Sequence, residues 1–544
     1  MRRLGAKISQ FNRFLKDQSG NMAVVVALSA LPLMMAGGAA VDYGNWISVQ
    51  ARLQAATDAA ALAAGREANL GEEELRRVAT DYFMSNFGTP RNSGTPNMTM
   101  TLDGAGKVRI DANVTVDNYL LKTIGKQSQY ITASAEVSKE ATGLEVALVF
   151  DNTGSMGSQS RLSTLKVAAN DFVEILFGPR DEADTLKVAV VPFSQFVNVG
   201  PDKSARSWLD TNGLNPLSRD NFMPNSGGPS HNWQAWGEVI DKRPQLYWPG
   251  CVESRDGALS VNDTAPNPNI PDTLFVPAFA PDEPGQSGSA FRTCYTDAGA
   301  TSSCGGGVQN VYFNNYVEDS LASSSGNGRR RARTYSLEDQ QNHARKYRRS
   351  RVNTRDMGND RGPHKGCNIQ PIQALTNQKA PVLETIRNMR ADGYTHVAEG
   401  VGWGLRVLSP GEPFTEGVSY DNKDITKAMV LLTDGENTFE WENNHNGSTY
   451  TAYGFLDQAR LGSSNYWTAI NAQNTLLRDA CNNVKAEDIV VYSFAYNVPS
   501  ATQRSLIKSC ASSPEKYFDP PSNAALVRNF QQIADELRRL HLSQ

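Results

Sequence analysis

Hydrophobic and polar positions follow several different patterns along this chain, and each predicts its own architecture. Residues 22–41 (MAVVVALSALPLMMAGGAAV) carry no charge across 20 positions. At 1.5 Å per residue a helix of that length spans about 30 Å, the hydrocarbon thickness of a bilayer. Residues 49–67 are alanine-rich and free of Pro and Gly until Gly65, so the helix is expected to continue. Its small side chains suit either close packing against a partner helix or a plain surface position. A second helix is predicted over 72–87, and residues 98–139 alternate apolar and polar (VRIDANVTV, YITASAEV), the period of strands. From Gly143 onward, apolar strands alternate with helices. Strands are predicted at 144–150, 186–193, 428–433 and 489–495, and helices at 161–177, near 382–390, at 396–408, 466–485 and 522–540. Such alternation indicates an α/β fold with a doubly wound parallel sheet covered on both faces.

Between residues 201 and 381 the regularity stops. This stretch holds 15 of the 26 prolines, four of the eight tryptophans and four of the six cysteines. It is expected to be an inserted subdomain with a small core of its own, since a structureless loop of that length does not suit a compact domain. Within it, residues 329–355 carry nine arginines and Lys346 against only Glu338 and Asp339. A solvated or disordered segment is expected there, with attraction to anionic polymers or phosphates as the alternative.

Charge then sets orientation and excludes a function class. Arg2, Arg3, Lys7, Arg13 and Lys16 precede the apolar run, opposed by Asp17, and the next basic residue beyond it is Arg52. That bias places the amino terminus in the cytoplasm and the rest of the chain outside it. Gly38-Ala39-Ala40 would suit a signal-peptidase cut, but the long basic region before the run and the run's own length favour a retained anchor. Tyr43 and Trp46 stand where an interfacial aromatic belt would sit. Over all 544 residues, 53 basic and 57 acidic side chains leave a net charge of −4, which argues against a nucleic-acid binder. An exported location favours disulfides. Cys481 and Cys510 each end a helix beside the strand 489–495 and are expected to pair. Cys251, Cys294, Cys304 and Cys367 allow three pairings, and the sequence chooses none of them.

The chemistry concentrates at three strand or helix ends. Asp151-Asn152-Thr153-Gly154-Ser155 follows a buried strand as D-x-T-x-S, Gly393-Tyr394-Thr395 begins a helix, and Thr433-Asp434-Gly435-Glu436 ends another strand. Two carboxylates and three hydroxyls, Asp151, Thr153, Ser155, Thr395 and Asp434, form a low-charge oxygen set. Hard divalent cations such as Mg²⁺ or Mn²⁺ take such ligands, and the set leaves a position for an external acidic group. His396 and Glu436 are nearby on paper, but nothing completes a catalytic set with them. No phosphate-cradling glycine loop, nucleophile elbow or zinc motif occurs, so an enzyme is not expected.

The ordered triple resembles the metal-ion-dependent adhesion site of von Willebrand factor type A domains, with Thr153 standing where that family more often has Ser. The flanked anchor, Gly20-Asn21-Met22-Ala23-Val24, Ala40-Val41-Asp42-Tyr43-Gly44-Asn45-Trp46 and the alanine-rich helix are similar to TadG-like Flp pilus assembly proteins of the Tad tight-adherence system. So are Trp248-Pro249-Gly250-Cys251, Phe279 to Pro284, and Gly402-Trp403-Gly404 with Leu408-Ser409-Pro410. The resemblance implies a cytoplasmic tail (1–21), a transmembrane anchor (22–41), a stem of helices and strands (42–140), and a type A domain (143–544) interrupted by the insertion 201–381. It further implies a single-pass protein of the bacterial inner membrane with a periplasmic or extracellular carboxy-terminal domain. Its partners would be extracytoplasmic Tad/Flp pilus components, bound through the metal. The alternative is a cell-surface adhesin for host or matrix ligands, acting independently of pilus assembly.

Overall fold

The computed structural model describes residues 21–66, 71–102, 107–138, 143–242, 246–284, 294–296, 299–301, 314–317, 336–349, 362–442 and 444–542. The chain divides into two compact units between residues 141 and 142. In the first, a 46-residue helix α1 (Asn21–Arg66) is followed by α2 (Glu72–Phe87). Three antiparallel strands complete it, β1 (Asn97–Leu102), β2 (Lys107–Asp117) and β3 (Ser128–Ser138), in the order β1-β2-β3. The alanine stripe finds its partners within the unit. Val49, Leu53, Ala56, Ala60 and Ala64 pack with Leu75, Ala79, Phe83 and Phe87 of α2 and with Val108, Ile110, Ala112, Val114 and Val116 of β2. The 3–4 residue spacing on α1 and the period of two on β2 each present one face to this core.

The apolar run expected to span a membrane forms the start of α1. Among the described residues no helix is long and apolar enough to cross a membrane. The side chains of residues 21–24, 27 and 31 lie outside the described residues, and Ser29, Pro32, Gly37 and Gly38 interrupt the remainder of the run. The basic tail, residues 1–20, also lies outside them.

The second unit is built on β4 (Gly143–Asp151), α3 (Arg161–Phe177), β5 (Leu186–Phe193), α4 (Asn232–Lys242), β6 (Gln373–Thr376), α5 (Lys379–Asn388) and α6 (Val397–Leu408). It continues with β7 (Ile425–Thr433), α7 (Tyr466–Ala486), β8 (Val490–Ala495), α8 (Ala501–Cys510), β9 (Tyr517–Phe518) and α9 (Asn523–Leu542). The sheet order is β6-β5-β4-β7-β8-β9, parallel except for the edge strand β6, which runs antiparallel to β5. Alternate residues of each strand serve opposite faces. Leu144, Val146, Leu148 and Phe150 of β4 pack with α3, α5 and α9, whereas Ala147 and Val149 pack with α6 and α7.

The insertion differs from expectation in three ways. Its tryptophans build no separate core: Trp208, Trp236 and Trp248 join the cluster over β4, β5 and β7 through Phe275, Phe279 and Trp403. Aromatic side chains of this size stabilise most where they extend an existing apolar face. The insertion also ends earlier, because Gln373 already pairs with Val190 as β6, an edge strand too short to show a period. Of the arginine-rich run, 329–335 and 350–355 lie outside the described residues. In its described middle Arg345 and Arg348 are exposed as expected, but Lys346 and Tyr347 are buried, and the Lys346 ammonium pairs with the buried Asp282 carboxylate at 2.8 Å. Among the described residues two disulfides tie the unit together. Cys481–Cys510 joins α7 to α8 with Cα atoms 5.0 Å apart, and Cys251–Cys367 has a Cα separation of 5.9 Å.

Candidate metal centre at the sheet's carboxyl edge

Counted along the chain within this sheet, the strands lie in the order 3-2-1-4-5-6, so the direction of winding reverses between β4 and β7. Crevices at such reversals, outside the carboxyl ends of the strands, are where open α/β sheets bind ligands. Asp151 ends β4 and Asp434 follows β7 directly, and parallel register brings these ends side by side. A third segment, residues 392–395, is tied to the first by backbone bonds. The Gly154 N–H donates to the Gly393 carbonyl at 2.9 Å, and the Asp392 N–H donates to the Asn152 carbonyl at 2.8 Å. Gly393 has φ +78°, and a Cβ there would stand 2.8 Å from Gln195 Oε1. That oxygen accepts the Tyr394 N–H at 3.0 Å, which fixes the approach to Thr395.

The five expected side chains converge. Ser155 Oγ donates to Asp434 Oδ1 at 2.6 Å and lies 3.0 Å from Thr153 Oγ1. Asp151 Oδ1 accepts the Thr153 N–H at 2.8 Å, and its Oδ2 accepts the Thr433 hydroxyl at 2.6 Å. Thr395 Oγ1 and Ser155 Oγ both come within 4 Å of the point where a Cβ on Gly435 would stand. Thr153, Ser155 and Thr395 line a cleft of about 620 Å³ with Glu436, Glu440, Asp392 and Lys365 on its walls. Asp151 and Asp434 are buried, and burial, reinforced by the Asp434 charge, pushes the Asp151 carboxyl up to about 7. Two buried carboxylates beside three hydroxyls suit a hard cation, whose charge would relieve both the desolvation and the repulsion. Among the described residues no group of three His, Cys, Asp or Glu side chains could hold a metal. Hydroxyls supply the rest of this donor set.

Other residues near the site have different places. His396 caps α6 and is buried against the rings of Phe439 and Tyr453, with centroids 5.1 and 5.2 Å away. Burial pushes its imidazole down to about 3, so it stays neutral in the core. Glu436 is exposed at the rim.

Sequence reasoning missed Arg161, whose Nη1 donates to Asp434 Oδ2 at 2.6 Å. A cation in the first turn of a helix opposes the helix dipole, and that oddity was readable. Also missed were Thr433, which braces Asp151, and Asn437, whose Oδ1 accepts the Val397 N–H at 2.9 Å at the start of α6.

Residues 20–67 match the family model Tad, described as putative Flp pilus-assembly TadE/G-like. No curated protein matches the sequence. Among solved structures, the pilus adhesin SpaC from Lactobacillus rhamnosus GG is similar at 12% identity and TM-score 0.29, over 83% of this chain and 35% of SpaC. The chain thus spans about a third of that protein's length. The vWF domain of the type V pili tip protein Mfa5 from Porphyromonas gingivalis is similar at 9% identity and TM-score 0.31, over 73% of this chain and 95% of that domain. The pilus adhesin RrgA from Streptococcus pneumoniae is similar at 10% identity and TM-score 0.30, over 82% of this chain and 49% of RrgA. Likenesses this weak carry no argument about function.

Proposed function

We propose that the second unit is a von Willebrand factor type A domain that binds an acidic group of an extracytoplasmic protein partner during Flp pilus assembly. Asp151, Thr153, Ser155, Thr395 and Asp434 would hold Mg²⁺ or Mn²⁺. The start of α1 would hold the chain at the bacterial inner membrane, with both units outside the cytoplasm. The observation that carries this reading is the convergence of both buried carboxylates and the three hydroxyls at the winding reversal of the sheet, with the hydroxyl residues lining a cleft. The match of residues 20–67 supports the link to pilus assembly and to the envelope. A bound divalent ion supplies a Lewis-acidic position for a partner's carboxylate. The chain's own residues orient that position: Thr433 fixes Asp151, and Ser155 holds one oxygen of Asp434. Calorimetric titration of Mn²⁺ into the full chain tests the site. Wild type should bind one ion per chain and Asp151→Ala should lose the binding; equal binding by both proteins would remove the assignment.

A further inference from the structure

Ten residues, 118–127, link β2 to β3, and they place their apolar side chains outward. Leu120 is 47% exposed and Ile124 55% exposed, with Tyr119 beside them. Loops of soluble units normally keep such side chains inside or scatter them singly. Here they are gathered and held. The buried Asp42 carboxylate of α1 accepts the backbone N–H groups of Tyr119, Leu120 and Leu121 at 2.7, 3.0 and 2.7 Å. Trp46 Nε1 donates to Asn118 Oδ1 at 2.9 Å, and the Asn118 amide donates to the Lys126 carbonyl at 2.8 Å. The short 3₁₀ turn Leu121–Ile124 is thereby laid along α1 at the level of Met34 to Ala39. Together they form a shallow cleft of about 270 Å³ lined by Met34, Met35, Gly38, Ala39, Leu120 and Ile124. A Cβ on Gly38 would stand 3.0 Å from Leu120 Cβ, so this position keeps the approach close.

We infer that this loop is a second lipid contact, inserted into the outer leaflet beside the start of α1. Three features select lipid over a protein partner. The patch includes the exposed Met34 of α1, and the same stretch of the helix exposes Leu33 and Val41. Residues 118–130 carry Lys122 and Lys126, both exposed, and no acidic residue, which suits anionic lipid phosphates. Tyr43 and Trp46 stand about one and two turns further along α1 than Ala39, with the Lys126 ammonium 4.6 Å from the Trp46 ring centroid, the amphipathic chemistry of a membrane interface. The loop would act as a collar that holds the first unit at a fixed depth, with Asp42 as its clasp.

This inference rests on the proposed anchor, and the test separates the two. The full chain is reconstituted in vesicles of phosphatidylethanolamine and phosphatidylglycerol, with an environment-sensitive fluorophore on Ile124→Cys, on Leu28→Cys in α1, or on Glu73→Cys at the far end of the unit. Acyl-chain-brominated lipids should quench the labels at 28 and 124 and spare the one at 73. Quenching at 28 but not at 124 would overturn the collar and leave the anchor standing. Quenching at 124 alone would retain the collar as a peripheral contact and remove the anchor. A blue shift at 124 that brominated lipid does not quench would mean burial against a second copy of the chain and would overturn the lipid assignment. Quenching at neither position would remove both.

Discussion

The two faces of the parallel sheet are closed by different chemistry. On one, β4, β5 and β7 meet α3, α5 and α9 through aliphatic and phenyl side chains such as Leu148, Val190, Phe172, Phe530 and Ile533. On the other, α6 and α7 are joined by the insertion, which brings Trp208, Trp236, Trp248, Phe279 and Tyr347 together with buried ion pairs. Lys346 pairs with Asp282, and Arg460 Nη1 lies 2.6 Å from Glu253 Oε2. The first face depends on area removed from water and tolerates small changes of shape. The second depends on partners being present, because desolvation of a charge is compensated only while its counterpart remains.

The largest difference should appear at the Lys346–Asp282 pair. Asp282 Oδ1 also accepts the N–H groups of Tyr316 and Val317 at 2.6 and 2.7 Å. Burial nevertheless pushes this carboxyl up, against the pull of Lys346 and of those bonds, so the pair is not a source of great net stability. Its loss is another matter: Asp282→Ala leaves the Lys346 ammonium buried without its carboxylate and should cost about 3–5 kcal/mol. Ile533→Val on the opposite face should cost about 0.5–1.5 kcal/mol. Urea unfolding of the two variants measures both. Equal losses would erase the distinction between the faces.

A covalent tie on the insertion side sharpens the comparison further. Cys481 and Cys510 both lie in the core cluster of that face, 29 residues apart. In the chain-entropy treatment a loop of this size stabilises by roughly 3–4 kcal/mol. Replacing both cysteines by Ala should lower the unfolding midpoint accordingly. An unchanged midpoint would mean that packing of α7 and α8 suffices without the bond.

Legibility in the sequence follows the same division. The aliphatic face could be read because each of its strands and helices carries its own period, as in Leu144, Val146, Leu148 and Phe150. The convergence of the five candidate residues could be anticipated because they cluster in three short motifs at element ends, and the sheet topology brings those ends together. The insertion resisted, since its side chains answer to distant partners rather than to local period. Lys346 in an arginine-rich run looks solvated until Asp282, 64 residues earlier, is placed beside it. The same holds for Glu145, which sits in a strand read as apolar and pairs across the register with Lys427. The strand β6 was missed because four residues are too few to display alternation.

An effect smaller than loss of the ion pair or of the disulfide is expected where the two faces meet. α3 belongs to the aliphatic face and α6 to the other, yet both begin at the cleft, one bringing Arg161 and the other following Thr395. Arg161 is mostly buried, and its guanidinium meets the Asp434 oxygen not used by Ser155. A divalent ion seated on Asp434 competes with that guanidinium and is repelled by it. A hydrogen bond to a charged group contributes about 1.5–3 kcal/mol, and 1.4 kcal/mol corresponds to about tenfold in affinity. Arg161→Ala should therefore tighten Mn²⁺ binding by about tenfold or more, read by calorimetric titration, while lowering the urea stability of the metal-free protein by about 1.5–3 kcal/mol as the buried Asp434 loses its partner. Weaker binding in the variant would mean that Arg161 holds Asp434 in place for the ion instead of competing with it. An unchanged midpoint would mean that the bond to Asp434 contributes nothing in the metal-free protein, and the competition at this edge would fail with it.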